Sequence, residues 1–159
     1  MIFTNAYART IDSKGRLQIP TQFRVLIESA RYSGVLYLAP GARPRTLNLY
    51  LEEDFHEMAA SMDHQFLPDD DALTFQDLFY SMAVRLDVDK QGRVILPEAS
   101  VKRAGLDSEV VLTGAGRHLV LWDKQAYGEF VDQHWEKWQQ VRRQARAASR
   151  KTNRSEDGQ

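Results

Sequence analysis

One nine-residue stretch occurs twice, and it limits what this chain can fold into more than any other feature. Asp12-Ser13-Lys14-Gly15-Arg16-Leu17-Gln18-Ile19-Pro20 returns as Asp89-Lys90-Gln91-Gly92-Arg93-Val94-Ile95-Leu96-Pro97, with Asp, Gly, Arg and Pro at identical spacing and an offset of 77 residues (89 − 12). An internal repeat sets the architecture before any single element is read. The chain is therefore two copies of one small unit. Units of about 50 residues bury too little surface to be stable alone. The copies are expected to share a core, to oligomerise, or both.

Each copy reads locally as strand, turn, strand. In Val84-Arg85-Leu86-Asp87-Val88-Asp89 apolar and polar side chains alternate, the period of a strand with one buried face. Tyr7 and Ile11 stand at the places of Val84 and Val88, and Arg9 at that of Leu86. A short apolar run follows each Gly-Arg, Leu17 to Ile19 and Val94 to Leu96. Asp, Lys and Gly between such runs predict a hairpin turn, with glycine supplying a positive φ and Asp bonding the local backbone. Lys14 and Arg16 stud one turn, Lys90 and Arg93 the other. Guanidinium and ammonium groups on a rigid tip suit phosphates and base edges. A single Lys-Gly turn beside an arginine is ordinarily just a solvated hairpin; the matched second copy is what raises the reading above that. Asp12 and Asp89 read as structural, capping the turn or fixing the nearby Arg rotamer.

Charge distribution says more than its sum. Net charge is −1, pI near 6.4, and nucleic-acid binders usually show a basic footprint. Yet Glu52, Glu53, Asp54, Glu57, Asp63, Asp69, Asp70 and Asp71 share one stretch without a Lys or Arg. Basic residues gather in the two turns, after the two prolines and in the tail. Such segregation fits one binding face on a near-neutral particle. The chain has no cysteine, which excludes disulfides and thiolate chemistry. No apolar run approaches a membrane span and the N-terminus lacks a signal-peptide pattern, so a soluble intracellular protein is expected.

Along the chain, Pro20 opens a short helix from Thr21 to Ala30 with Phe23, Leu26 and Ile27 on one face and Arg24 off it, ordinarily a solvated place. Val35 to Leu38 and Thr46 to Leu51 read as strands. A helix starts at the acidic run Glu52 to Asp54, and Met62 to Asp71 is the expected boundary. Ala72 to Met82 forms a helix offering Leu73, Phe75, Leu78, Phe79 and Met82 to a core. After Pro97 a helix runs to Ala104 and ends at Gly105. Val110 to Thr113 and Leu119 to Trp122 flank the Gly114-Ala115-Gly116 turn, which lacks the third glycine and following helix of a dinucleotide fingerprint. Asp123 to about Ala148 reads as one long helix, N-capped by Asp123, whose Tyr127, Phe130, Val131, Trp135 and Trp138 pack against the domain or a neighbouring subunit. Its basic end, Arg142 to Arg154, reads as a solvated tail with some attraction for phosphates.

The paired Asp-x-x-Gly-Arg-x-x-x-Pro motifs, the Pro20-Thr21-Gln22-Phe23-Arg24 and Ala104-Gly105-Leu106 stretches, and Val120-Leu121-Trp122-Asp123 resemble the MraZ family of bacterial transcription regulators over roughly residues 1–135. The resemblance implies an α+β fold: a small swapped-hairpin β-barrel of two tandem SpoVT/AbrB-like repeats, with peripheral helices and a long C-terminal helix. Repeat 1 would span 5–52, a helical linker 53–81, repeat 2 82–125, and the C-terminal helix and basic tail 126–159. It also implies a ring-shaped homo-oligomer in the cytoplasm and nucleoid. That ring would bind double-stranded DNA at direct repeats in the promoter of the division and cell-wall gene cluster, which includes its own gene. The family's DNA-contacting Asp-x-x-x-Arg element lands on Asp12 and Arg16, and on Asp89 and Arg93. Arg16 and Arg93 are then the DNA readers, Lys14, Lys90 and Arg24 the phosphate contacts, and Asp12, Gly15, Asp89 and Gly92 their support. The rival reading is a ring-forming structural or interaction module whose basic turns bind an acidic partner. No catalytic residue, metal ligand or cofactor is assigned. His56, His64, His118 and His134 are scattered, and His64 near Asp63 and Asp69 lacks a partner histidine on one helix face.

Overall fold

The computed structural model describes residues 2–29, 33–63 and 69–156. The chain divides into two compact units, residues 1–124 and 125–159.

Among the described residues the first unit carries eight strands: β1 (Ala6–Thr10), β2 (Arg16–Gln18), β3 (Val35–Pro40), β4 (Thr46–Leu51), β5 (Val84–Asp87), β6 (Arg93–Ile95), β7 (Glu109–Gly114) and β8 (His118–Asp123). Its helices are α1 (Thr21–Ile27), α2 (Glu52–Asp63), α3 (Asp70–Met82) and α4 (Glu98–Ala104). The two prolines start equivalent helices. The Pro20 carbonyl accepts from Phe23 and Arg24, each at 3.0 Å, and that of Pro97 from Ser100 at 3.0 Å and Val101 at 3.2 Å. A helix can open on proline because its missing N–H would have had no intrahelical partner. Gly105, at φ 71°, ends α4 in the left-handed conformation expected of it. α1 ends at Ile27 with Glu28 as its cap; Ala30, to which that helix was expected to run, lies outside the described residues.

Strand pairing crosses between the two copies. Six antiparallel strands form one sheet in the order β1-β7-β8-β4-β3-β5, and β2 pairs with β6 in a separate ribbon. The leading strand of each copy thus pairs with a later strand of the other. Tyr7 opposes Leu112, and Val84 opposes Leu38. The registers obey an approximate two-fold relation. Leu47↔Leu121 and Leu49↔Leu119 flank Asn48↔Val120, and Leu17↔Val94 is the centre of the ribbon. The expected closed barrel is corrected here: β1 and β5 are free edges of the large sheet, and the ribbon does not join it. The expected hairpins are corrected too. Asp12 N–H bonds Arg16 O at 3.1 Å and Asp89 N–H bonds Arg93 O at 2.9 Å. Beyond that one closure the flanking strands part, one to the sheet and one to the ribbon.

The larger core lies between the sheet, the ribbon, α1 and α4. Leu17, Val94, Leu36, Leu38, Leu49, Val110, Leu112, Leu119 and Leu121 are fully buried there, with Phe23 and Ile27 of α1. Phe3 and Tyr7 each meet Phe23 edge-on at ring distances of 5.5 and 5.1 Å. Burying a Leu or Val side chain completely stabilises by roughly 1.5–3 kcal/mol, so the ribbon is anchored through Leu17 and Val94. A smaller core of Ala39, Phe55 and Phe79 joins β3 to α2 and α3. Of the apolar residues that α3 offered, only Phe79 is buried; Leu73, Phe75 and Leu78 are exposed. α3 lies on its sheet through a narrow face, which leaves those three beyond the contact. Arg117, in the β7–β8 turn, pairs with Asp54 and, at 2.9 Å, with Glu57, tying α2 to the sheet edge.

The second unit is α5 (Lys124–Trp135) followed by α6 (Trp138–Glu156). The single long helix expected here is interrupted at Glu136 and Lys137. Lys137 N–H bonds His134 O at 3.1 Å, a tightened last turn, and Val141 N–H takes Lys137 O at 3.0 Å to start the next helix. No Gly or Pro marks the break. α5 buries no residue, and Trp135 and Trp138 are exposed in the single chain. Asp123, expected as N-cap, ends β8 and stands immediately before α5; its buried carboxylate also pairs with Arg45 at 2.7 Å.

Candidate nucleic-acid interface

The two turns are built by the same bonds. In the first, Asp12 Oδ1 accepts from the backbone N–H of Lys14 and of Arg16, both at 2.9 Å, and Oδ2 accepts from Arg16 Nε at 2.6 Å. In the second, Asp89 Oδ1 accepts from Gln91 at 2.9 Å and Arg93 at 3.0 Å, and Oδ2 from Arg93 Nε at 3.0 Å. Gly15 and Gly92 both sit at φ 77°, a conformation that costs other residues about 1–2 kcal/mol. Each turn is then stitched to the opposite strand. Ile19 N–H bonds Gly92 O at 2.9 Å, and Leu96 N–H bonds Gly15 O at 2.8 Å.

Ribbon geometry decides which way the arginines face. Arg16 opposes Ile95, Leu17 opposes Val94 and Gln18 opposes Arg93. Alternate residues of a strand point to opposite faces. Leu17 and Val94 are wholly buried, so Arg16, Gln18, Arg93 and Ile95 share the outward face. The arginines are diagonal neighbours, roughly 7–8 Å apart at Cα, and their side chains are 34% and 29% exposed. Asp holds each guanidinium only by Nε. Among the described residues the terminal nitrogens have no partner, which leaves the forked edge that recognises phosphate or guanine.

Both carboxylates are held ionised. The hydrogen bond from the Arg16 backbone, opposed by desolvation and helped by the Arg16 side chain, lowers Asp12 below the ordinary 3.8. The hydrogen bond from the Arg93 backbone, with the same opposing and supporting contributions, does so for Asp89. Lys14 and Lys90 are exposed at their tips but are not equivalent: Gln91 matches Lys14, and Ser13 matches Lys90.

A family model described as "MraZ protein, putative antitoxin-like" matches residues 79–156. A relative named transcriptional regulator MraZ from Dictyoglomus thermophilum is 33% identical over 130 residues, covering 81% of this chain and 84% of its own. One of that name from Dictyoglomus turgidum is 34% identical with the same coverage. Another, from Mycoplasmopsis pulmonis, is 31% identical over 126 residues, covering 79% and 82%. This is an MraZ-family chain. The family match extends through α6, past the span over which the motifs alone carried the resemblance.

Three features of this MraZ-family site were not visible as such in the sequence. Arg24 was expected off the packed face of its helix as a phosphate contact; its guanidinium lies over the second turn, where a Cβ on Gly92 would fall 2.3 Å from Arg24 Nε. α1 of the first copy thus covers the turn of the second. At the first turn the equivalent place belongs to Val101, and an open groove of about 660 Å³ remains, lined by Lys14, Gly15, Ile95, Val101 and Asp107. Gln18 donates its amide to Gln91 O at 2.9 Å and Gly92 O at 3.2 Å, bracing the second turn. Ile95, in the middle of the apolar run Val94 to Leu96, is 64% exposed. Polar Gln18 at the matching place in the first copy was the signal for that. Among the described residues no group of His, Asp and Glu could hold a metal ion, and no helix is long and apolar enough to cross a membrane. His64 lies outside the described residues.

Proposed function

We propose that this MraZ-family chain is a sequence-specific DNA-binding transcription regulator. The observation that carries this is the pair of Asp-held arginines on one outward face of the β2–β6 ribbon. Fixing Nε in advance removes rotamer entropy that a free arginine would lose on binding. Arg16 and Arg93 read base edges, and Lys14, Lys90 and Arg24 sit on phosphates. The crossed strand pairing supports two SpoVT/AbrB-type swapped elements, at 5–52 and 82–125, joined by the 53–81 linker and followed by 126–159. The targets are direct repeats in the promoter of the division and cell-wall gene cluster, the chain's own promoter included, in the cytoplasm and nucleoid. A ring of subunits engages successive repeats, and tethering raises avidity by ~10²-fold or more over one weak contact. The relatives' printed name, transcriptional regulator, supports the same reading.

The test is a gel shift with promoter DNA carrying the repeats, comparing wild type with Arg16→Ala, alongside the assembled mass. Weaker binding by an intact assembly is expected. Unchanged affinity in an unchanged assembly overturns the assignment of Arg16. Scrambled repeats that bind as well as the native ones would leave only a nonspecific basic surface. The acidic-partner alternative is less well supported, because Arg117 already engages Asp54 and Glu57 of the acidic stretch.

A further inference from the structure

We propose that α6 is a second, sequence-independent DNA contact that lays an arginine ladder along the phosphates of the duplex; this rests on the DNA-binding reading above. Between Trp138 and Glu156 the helix carries Arg142, Arg143, Arg146, Arg150, Lys151 and Arg154, and Glu156 is its only acid. Arg142, Arg146 and Arg150 follow one another at intervals of four, so they form one stripe along the helix. Like charges at that spacing destabilise a helix, and among the described residues of α6 no carboxylate offsets them.

Six arginines of the first unit behave differently. Arg16, Arg24, Arg45, Arg85, Arg93 and Arg117 each pair with a carboxylate. Among the described residues no carboxylate pairs with Arg142, Arg143, Arg146 or Arg150, all of which are exposed. A stripe of unneutralised charge held at the cost of helix stability is accounted for by a polyanion that neutralises it. From Arg142 to Arg154 the helix rises about 18 Å, a length over which duplex DNA carries roughly ten negative charges. The helix's apolar residues are Trp138, Val141, Ala145, Ala147 and Ala148, of which Trp138, Val141 and Ala145 border the stripe, sharing one surface with Arg142, Arg146 and Arg150. Only two of these are large, too few for a helix that inserts into a lipid surface or for a well-filled seam between helices.

The contact is tested with the full chain and the triple variant Arg142→Gln/Arg146→Gln/Arg150→Gln. Glutamine has nearly the helix propensity of arginine, and far-UV circular dichroism checks that the helix persists. Fluorescence anisotropy follows binding to a duplex from upstream of the chain's own gene and to a scrambled duplex of equal length, from about 50 to 200 mM salt. The variant should bind both duplexes about tenfold more weakly at the low-salt end, with their ratio unchanged. Its plot of log affinity against log salt should be shallower by roughly two to three units. A triple Arg→Lys variant should restore the slope. Unchanged affinity and slope, or a loss confined to the native duplex, overturns the proposal. So does a changed assembled mass, which would make α6 an assembly element, and so does variant-sensitive binding to anionic vesicles with DNA binding intact. If wild type binds neither duplex, the regulator reading itself fails; if wild type binds and only the variant result is negative, that reading stands and the ladder alone falls.

Discussion

The two turns share every backbone bond and differ in what leans on them. The second is covered: Gly92 is buried beneath Arg24, and Gln18 bonds two of its carbonyls. The first stands beside an open groove, with Val101 and Ile95 at the matching places. The repeat supplies two matched arginine mounts, and Arg24 and Gln18 brace one of them. An apparent two-fold site is thus built from one braced reader and one with room around it.

The largest expected effect that tests this contrast comes from the glycines. A Cβ at Gly15 would lie 2.8 Å from Leu96 O, a backbone atom, on top of the positive φ. Gly15→Ala should cost about 2–4 kcal/mol in denaturant unfolding, strain and clash together. Gly92→Ala also strains φ, but the atoms nearest its Cβ belong to the Arg24 side chain. In an Arg24→Ala background Gly92→Ala should become milder, whereas the cost of Gly15→Ala should not move; equal behaviour would break the contrast.

Next comes DNA affinity. Arg16→Ala and Arg93→Ala should each lose roughly 1–3 kcal/mol of binding to the native duplex, the worth of one good bidentate contact, by titration at fixed salt. A smaller effect follows from the brace. Arg24→Ala should weaken binding by about 1 kcal/mol or less, as expected for one phosphate contact or a loosened turn. Combined with Arg93→Ala it should add less than it does with Arg16→Ala, because Arg24 covers only the second turn. Strict additivity in both pairs would separate Arg24 from the turn it covers.

The smallest effect is acid sensitivity, because both carboxylates are partly exposed. Asp12 and Asp89 sit below 3.8 in the folded chain, so the unfolded chain binds protons first as pH drops. Their contribution is complete above the unfolded value near 3.8 and disappears as pH falls through the lower folded values. In urea midpoints measured across that window, Asp12→Asn/Asp89→Asn should flatten the pH dependence relative to wild type. A parallel curve would mean that the two carboxylates titrate alike folded and unfolded.

Much of this was legible in the chain itself. Asp, Gly and Arg at fixed spacing foretold two turns with positive φ and aspartate-bonded backbones, since those bonds are local. The Leu47, Leu49, Leu51 alternation likewise marked the buried side of β4. What stayed hidden depends on residues far apart. Period-2 alternation cannot say which strand will be a neighbour, so Tyr7 facing Leu112 was not legible in it. Arg24 over Gly92 joins positions 68 apart (92 − 24) and leaves no local trace. Leu73, Phe75 and Leu78 look like core residues because hydrophobicity does not report how wide a helix contact is. The break at Glu136 carries neither Gly nor Pro.

The crossed pairing also bears on how the chain is made. Thr10 finds its partner in Glu109, 99 residues later. At translation rates of about 5–20 residues per second, β1 waits roughly 5–20 s after leaving the ribosome before β7 exists. β3, β4 and β5 are adjacent in the sheet and all present by Asp87, so they can assemble first. The nascent amino terminus meanwhile offers an unsatisfied strand to any neighbour, and a message truncated before β7 yields a product whose first strand can never dock.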